Sequence, residues 1–370
     1  MTTQSRPQAQ RPISRLADLP SELCLIVFND SDLENKDILN LSLVSRRFRA
    51  LCIPSLFYSV VFPCSKYGLE DLQRFLHSEC RKSVIHFTYC IPPFFNPEVE
   101  DFEHFFSVMN PPESVTSLQG SHDPDNVRAR FASLHDIYRT HHRETKEIVE
   151  SGLDYTALSG ALIQLPPGTD LVLEFRSGIL DHTDKIYKTD KWIRKPETYK
   201  HHIPVMERAI SHAKAHGQHF SSVRLVRVKM PEGESWGDSK SQIRESLERM
   251  FSGIDCIRLS LSPSVVRLFK GDSLGIHDVE LLNLTLPQWI FKKFLLANVA
   301  ALKTIGVYGV VVTAGPDVGE DITQAELVQM LNELAVQAGV QAYWKATPLD
   351  GLIWRVEWSA PVKGSKGVRG

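Results

Sequence analysis

What this sequence lacks narrows its class. It has no long apolar run: stretches such as Leu23–Phe28 fall far short of the roughly 20 residues that a membrane-spanning helix needs. The polar start MTTQSRPQAQRP contains no apolar segment of the kind that directs secretion, so none is expected. Cysteine is sparse, with six residues at 24, 52, 64, 80, 90 and 256 and no CxxC pair among them. That spacing speaks against a zinc knuckle or a small disulfide framework. It fits reduced thiols in a cytoplasmic or nuclear protein. No charge sign dominates either: 42 basic residues face 44 acidic ones, so nothing draws the whole chain to nucleic acid or to an anionic membrane. What remains is ordinary, 42% apolar and 23% charged over 370 residues. That composition supports a real core. The length suits one elongated domain, or two compact ones with a small module.

Residues 1–12, rich in Gln, Pro, Ser and Thr, read as a disordered tail. Structure is expected from about Ile13. In Leu16-Ala-Asp-Leu19-Pro20-Ser-Glu22-Leu23, proline suits the first position of a helix, where no amide donor is needed. Glu22 then meets the positive end of the helix dipole. Leu23, Ile26 and Val27 give one apolar face at spacings of three and four. After a polar break at 29–32, a second helical stretch opens at Asp37, carries Ile38, Leu39 and Leu41, runs through Val44 and Phe48 to Leu51, and stops before Pro54. Some forty residues in short helices have too much surface to bury all these leucines internally. Part of the apolar face must dock elsewhere.

The run LADLPSELCLIVF…KDILNLSLVSRRFRALCIPSLFYSVVF is similar to the F-box, in the form common among filamentous fungi. Matching positions include Leu19, Pro20, Glu22, Leu23, Val27, Asp37, Leu39, Val44, Arg47, Phe48, Pro54, Leu56 and Phe57. The resemblance implies a three-helix module whose apolar face binds the Skp adaptor, which in turn holds a cullin scaffold. It assigns adaptor contact to Leu16, Leu19, Pro20, Leu23, Val27, Leu39, Leu41, Val44 and Phe48. One departure is Ser31, where the family has a leucine closing the first helix; Leu33 stands two residues on.

Beyond the module, apolar residues recur at p, p+3 and p+5 in Val223/Val226/Val228, Ile254/Ile257/Leu259, Ile276/Val279/Leu281 and Leu302/Ile305/Val307. Weaker copies are Val84/Phe87/Tyr89 and Ile353/Val356/Trp358. Helical patterns lie between them: Leu69-Leu72-Phe75-Leu76, Ile243-Leu247-Met250, Ile290-Phe294 and Leu327-Val328-Leu331-Leu334. Strand and helix alternating at such a period read as leucine-rich repeats, although the asparagine of that consensus is replaced by Leu284 in the third copy. An ordinary α/β sandwich is the alternative. The expected fold class is therefore α/β: a three-helix F-box over 13–62, then an irregular leucine-rich-repeat-like solenoid over 63–360. Residues 95–168 read as a helical insertion with runs at Asn126–Glu150 and Leu153–Leu165, the first placing Phe131, Leu134 and Tyr138 on one side. Residues 176–222 read as a long exposed excursion and 361–370 as a second disordered tail.

Three constellations carry possible chemistry. Gly271-Asp272-Ser273-Leu274-Gly275 matches GxSxG, but a nucleophile elbow needs a helix after the serine, and residues 276–286 read as a strand. His212 and His216, with His219 nearby, have helical spacing for a metal but no completing carboxylate or cysteine, so solvated histidines are expected. In the repeat strands, Arg224, Arg227 and Arg258 should face the open surface, Arg227 beside Arg258 with Glu280 beyond. Two adjacent guanidinium groups could hold a carboxylate or phosphate of a target; a self-paired charge ladder with Glu280 on Arg258 is the plainer expectation. The sequence thus reads as a non-catalytic, cofactor-free target receptor of a ubiquitin ligase, with the Skp adaptor, a cullin and a protein target as partners and no metal, nucleic acid or membrane. A non-degradative scaffold and a hydrolase using Ser273 are the alternatives.

Overall fold

The computed structural model describes residues 19–28, 32–109, 124–176, 193–230, 239–271, 273–298 and 301–313, with residues 329–330 and 332–333 and the strand backbones 341–345 and 353–359. The tails at 1–12 and 361–370, together with Leu16, Ser31 and most of the helical pattern at 327–334, lie outside the described residues.

Three short helices come first: α1 (Ser21–Phe28), α2 (Asn35–Val44) and α3 (Arg46–Leu56). Glu34 and Asp37 form a capping box that opens α2. Ser45 separates α2 from α3 and caps the latter, its hydroxyl accepting from the Phe48 amide at 3.1 Å. The second stretch is therefore two helices, and it continues past Pro54 to Leu56. Proline lacks a donor only toward residue 50, one turn back, so a helix about to end loses little there.

The body is a mixed α/β assembly. After β1 (Ser59–Pro63) come α4 (Lys66–Leu76), β2 (His86–Ile91), α5 (Phe102–Met109), α6 (Pro124–Ser151), α7 (Leu153–Gln164), β3 (Asp170–Phe175), α8 (Lys195–Ala215), β4 (Ser222–Val226), α9 (Ser239–Phe251) and β5 (Cys256–Ser260). The rest is α10 (Pro263–Leu268), β6 (Asp278–Leu282), β7 (Thr285–Pro287), α11 (Gln288–Asn298), β8 (Thr304–Tyr308), β9 (Val311–Thr313), β10 (Gln341–Lys345) and β11 (Ile353–Ser359). The main sheet runs β1-β2-β3-β4-β5-β6-β8-β11-β10. Its first seven strands are parallel and follow chain order, and β11 and β10 close the far edge antiparallel. A separate pair joins β7 to β9.

Parallel strands need crossovers, and here helices supply them. Helices α4, α7, α8 and α9 pack side by side in that order over one face of the sheet. That face carries two lateral apolar ladders: Phe87, Leu171, Val223, Ile257, Val279 and Ile305, and Tyr89, Leu173, Leu225, Leu259, Leu281 and Val307. All twelve are buried.

The register corrects three expectations. The first p, p+3, p+5 copy is Phe220/Val223/Leu225, because Val223 pairs with Ile257 and Val226 faces the open side. Ile353/Val356/Trp358 lies on an antiparallel strand and is no copy. The supposed excursion at 176–222 contains α8, whose Ile203, Met206, Ala209, Ile210 and Ala213 are buried in the main core. The insertion is also shorter than expected. Phe95, Val99, Phe105, Phe131, Leu134 and Tyr138 form a satellite core beneath α5 and α6, whereas Leu158, Ala161 and Leu162 put α7 in the main helical layer.

One backbone feature recurs. The residue just past each of β4, β5, β6 and β8 has positive φ: Arg227 (62°), Leu261 (51°), Asn283 (52°) and Gly309 (60°). In each of the first three, the amide still donates to the next strand or turn, Arg227 to Ser260, Leu261 to Leu282 and Asn283 to Tyr308. Only Gly309 adopts this left-handed conformation without steric cost.

Candidate functional site

The N-terminal helices bury a small core of Cys24, Phe28, Ile38, Phe48 and Cys52, with the Phe28 and Phe48 rings edge to face at 5.3 Å. Leu19, Leu33, Leu41, Leu51 and Leu56 pack partly against it. The Arg47 guanidinium ties α3 to the start of α1 by donating to the Leu19 carbonyl and, at 3.3 Å, to the Ser21 hydroxyl.

This packing leaves a second apolar surface uncovered. Leu23, Ile26 and Val27 on α1, and Leu39, Leu43 and Val44 on α2, are exposed, Ile26 to 69% and Leu43 to 66%. Among the anticipated contacts, Pro20, Leu23, Val27, Leu39 and Val44 lie at the surface, while Leu19 and Leu41 are half-buried. Phe48 is different: at 2% exposure it belongs to the module's own core and supports the surface from behind. Helical spacing of four from Leu39 would have pointed to Leu43, which sequence reading passed over.

The second candidate surface is the open face of the sheet, where polar residues stack across strands. One lateral row is His86, Asp170, Ser222, Cys256, Asp278 and Thr304; the next is Thr88, Val172, Arg224, Arg258, Glu280 and Gly306. The predicted neighbour pair is thus corrected. Arg224, not Arg227, stands beside Arg258. Arg227 follows β4 in its left-handed turn, outside the strand alternation, and its guanidinium reaches Glu174 at 3.5 Å.

Arg258 sits between Asp170 at 3.2 Å and Glu280 at 2.9 Å, and Asp170 also meets His86 at 3.1 Å. Partial burial opposes the Arg258 charge, but Glu280 and Asp170 outweigh it and hold the guanidinium above its usual pKa. The Ser222 hydroxyl donates to Asp170 at 2.7 Å. Among the described residues, Arg224 donates only to the Ser260 hydroxyl, at 3.4 Å. Cys256 borders this network; burial, with Glu280 next, pushes its thiol up to about 11 despite the opposing Arg258.

Two further constellations are the GxSxG string and the histidines at the end of α8. Ser273 is followed by β6 rather than by a helix, and its hydroxyl accepts from the Gly275 amide at 3.3 Å. His216 caps α8 with Gly217 beyond at φ 84°; its ring packs on His212, and His219 faces Asp255 at 3.3 Å.

Residues 16–63 match the F-box-like family model. No curated protein and no solved structure matches the chain.

Proposed function

We propose that this F-box protein is the target-binding subunit of a Skp–cullin–F-box ubiquitin ligase, working in the cytoplasm or nucleus. The observation that carries the reading is the apolar surface of Leu23, Ile26, Val27, Leu39, Leu43 and Val44, left over after the module has built its own core. Covering such side chains releases about 1.5–3 kcal/mol each when burial is complete. A Skp-type adaptor is the partner that the family match suggests. The subunit contributes no reacting group in this reading: it raises the effective concentration of target lysines at the conjugating enzyme.

The body would present the target. Chain-order parallel strands, the recurrent p, p+3, p+5 spacing and the repeated left-handed turn support an irregular leucine-rich-repeat-like solenoid, whose open face is the natural binding surface. Within that face Arg258 is already paired by Asp170 and Glu280, so Arg224 has the greatest capacity for a target carboxylate, with Arg227 second.

The test is co-purification of the adaptor and cullin with the chain. An Ile26→Asp/Leu43→Asp variant alters only exposed positions and should lose the adaptor by at least about a hundredfold, since burying two unpaired carboxylates costs several kcal/mol. Undiminished capture by a folded variant would sink the proposal. Adaptor capture without cullin would favour a non-degradative scaffold.

A further inference from the structure

Three donor groups of unlike chemistry converge where the first strands meet the helical layer. Cys64 follows β1, Asp154 lies in the first turn of α7 and His202 lies within α8. One ligand atom from each lies within 4.8 Å of the other two, and all three residues are buried. Asp154 is completely excluded from solvent and His202 is 1% exposed.

The two polar groups are not equally accounted for. Asp154 accepts from His201 Nε2 at 2.7 Å and from the Tyr155 amide at 2.8 Å. Among the described residues, His202 has no hydrogen-bond partner on either ring nitrogen; its Nδ1 stands 3.8 Å from the Asp154 carboxylate, beyond hydrogen-bond reach. Buried polar side chains are nearly always satisfied. An unsatisfied imidazole within 4.8 Å of a carboxylate and a thiol is a donor that a cation would complete.

We propose that Cys64, Asp154 and His202 bind one divalent ion of the zinc type. Thiolate, imidazole and carboxylate are together the donors zinc takes, whereas magnesium and calcium prefer oxygen alone. Zinc distances of about 2.0–2.3 Å imply donor separations of roughly 3.3–3.8 Å, so the cluster needs to contract by about an ångström. The carboxylate is already oriented by His201, as ligating carboxylates are. Phe94 packs on both His201 and His202, at 5.6 and 5.2 Å, and also lines a cleft of about 490 Å³. Sequence spacing could not reveal this set, because its members lie 90 and 48 positions apart, from 64 to 154 and from 154 to 202.

The test is cobalt(II) titration of the chelator-treated 370-residue chain, followed by visible and near-ultraviolet absorption and by thermal melting. One equivalent should bind with a thiolate-to-cobalt charge-transfer band, and Tm should rise when zinc is restored. Cys64→Ser should abolish the band, and His202→Gln should weaken binding at least tenfold. His212→Ala/His216→Ala, a surface pair, should change neither. Absence of the band and of any zinc-dependent rise in Tm in the unsubstituted chain overturns the proposal, as does a band that survives Cys64→Ser. Because the unsubstituted chain alone can decide, a variant that misfolds leaves the test intact.

Discussion

Gly309 shows how much one residue can fix. Its φ is 60°, and a Cβ added there would lie 2.4 Å from the Asn283 side-chain oxygen. Gly309→Ala should therefore destabilise by about 2 kcal/mol, from left-handed strain and overpacking together. Adding Asn283→Gly should recover the overpacking part while also relieving the left-handed strain at 283, so denaturant unfolding of Gly309→Ala, Asn283→Gly and the double variant separates the contributions. Phe48 makes a different point. Truncation to alanine should cost about 3–5 kcal/mol through the cavity left beside Phe28, and it should weaken adaptor capture only through unfolding, measured as capture restored at low temperature. At Cys256 the thiol, raised to about 11, should alkylate near pH 8 about a hundredfold more slowly than a free thiol with a pKa of 9. The rate should climb tenfold per pH unit until about pH 11, and Glu280→Gln should accelerate it; a rate independent of that substitution would contradict the assigned environment. None of these local properties was legible beforehand. A positive φ at Arg227 or Leu261 leaves no mark in residue type, and the pairing of Val223 with Ile257, three residues from the expected register, takes Arg227 out of line with Arg258.

At the scale of elements, periodicity succeeded where one face decides burial. Leu69, Leu72 and Leu76 announced α4, and Ile243, Leu247 and Met250 announced α9, because each helix buries a single stripe. The same reasoning placed Phe131, Leu134 and Tyr138 together in the satellite core. It failed on α8, whose buried Ile203, Met206 and Ile210 are diluted by five histidine and lysine positions that looked solvated, His201, His202, His212, Lys200 and Lys214. His202 is in fact inside. The F-box helices were read correctly as carrying more apolar surface than they can hide, but the division between core and exposed face required their packing. Ser45 should matter at this level: Ser45→Ala removes the cap of α3 and should cost about 1 kcal/mol of stability, read as a drop in Tm with the exposed α1–α2 surface unchanged.

For the whole molecule, strand order was implied by the recurring spacing, but register was not. A first copy set three residues late, at Val223 instead of Phe220, still satisfied the pattern because Val226 and Val228 are apolar. An apolar contact also joins the module to the body. Phe57, the residue just past α3, packs against the main core and lies 5.8 Å from Phe75 of α4. Removing β10 and β11 by ending the chain after Thr313 would expose the edge of β8, and such an edge invites pairing between chains. Sedimentation of that truncated form should show aggregation that the full sequence resists.

The ion pairs on the open face have a consequence for motion. His86, Asp170, Arg258 and Glu280 are linked in space across β2, β3, β5 and β6, although they come from four separate crossovers of the chain. A repeat array with only nearest-neighbour contacts can open one unit at a time. Here Arg258 spans β4 to reach Asp170, so opening any one of these strands breaks contacts held by the others. Amide hydrogen exchange should find β3 through β6 opening as one cooperative unit, and Arg258→Leu should split it into units that exchange at different rates.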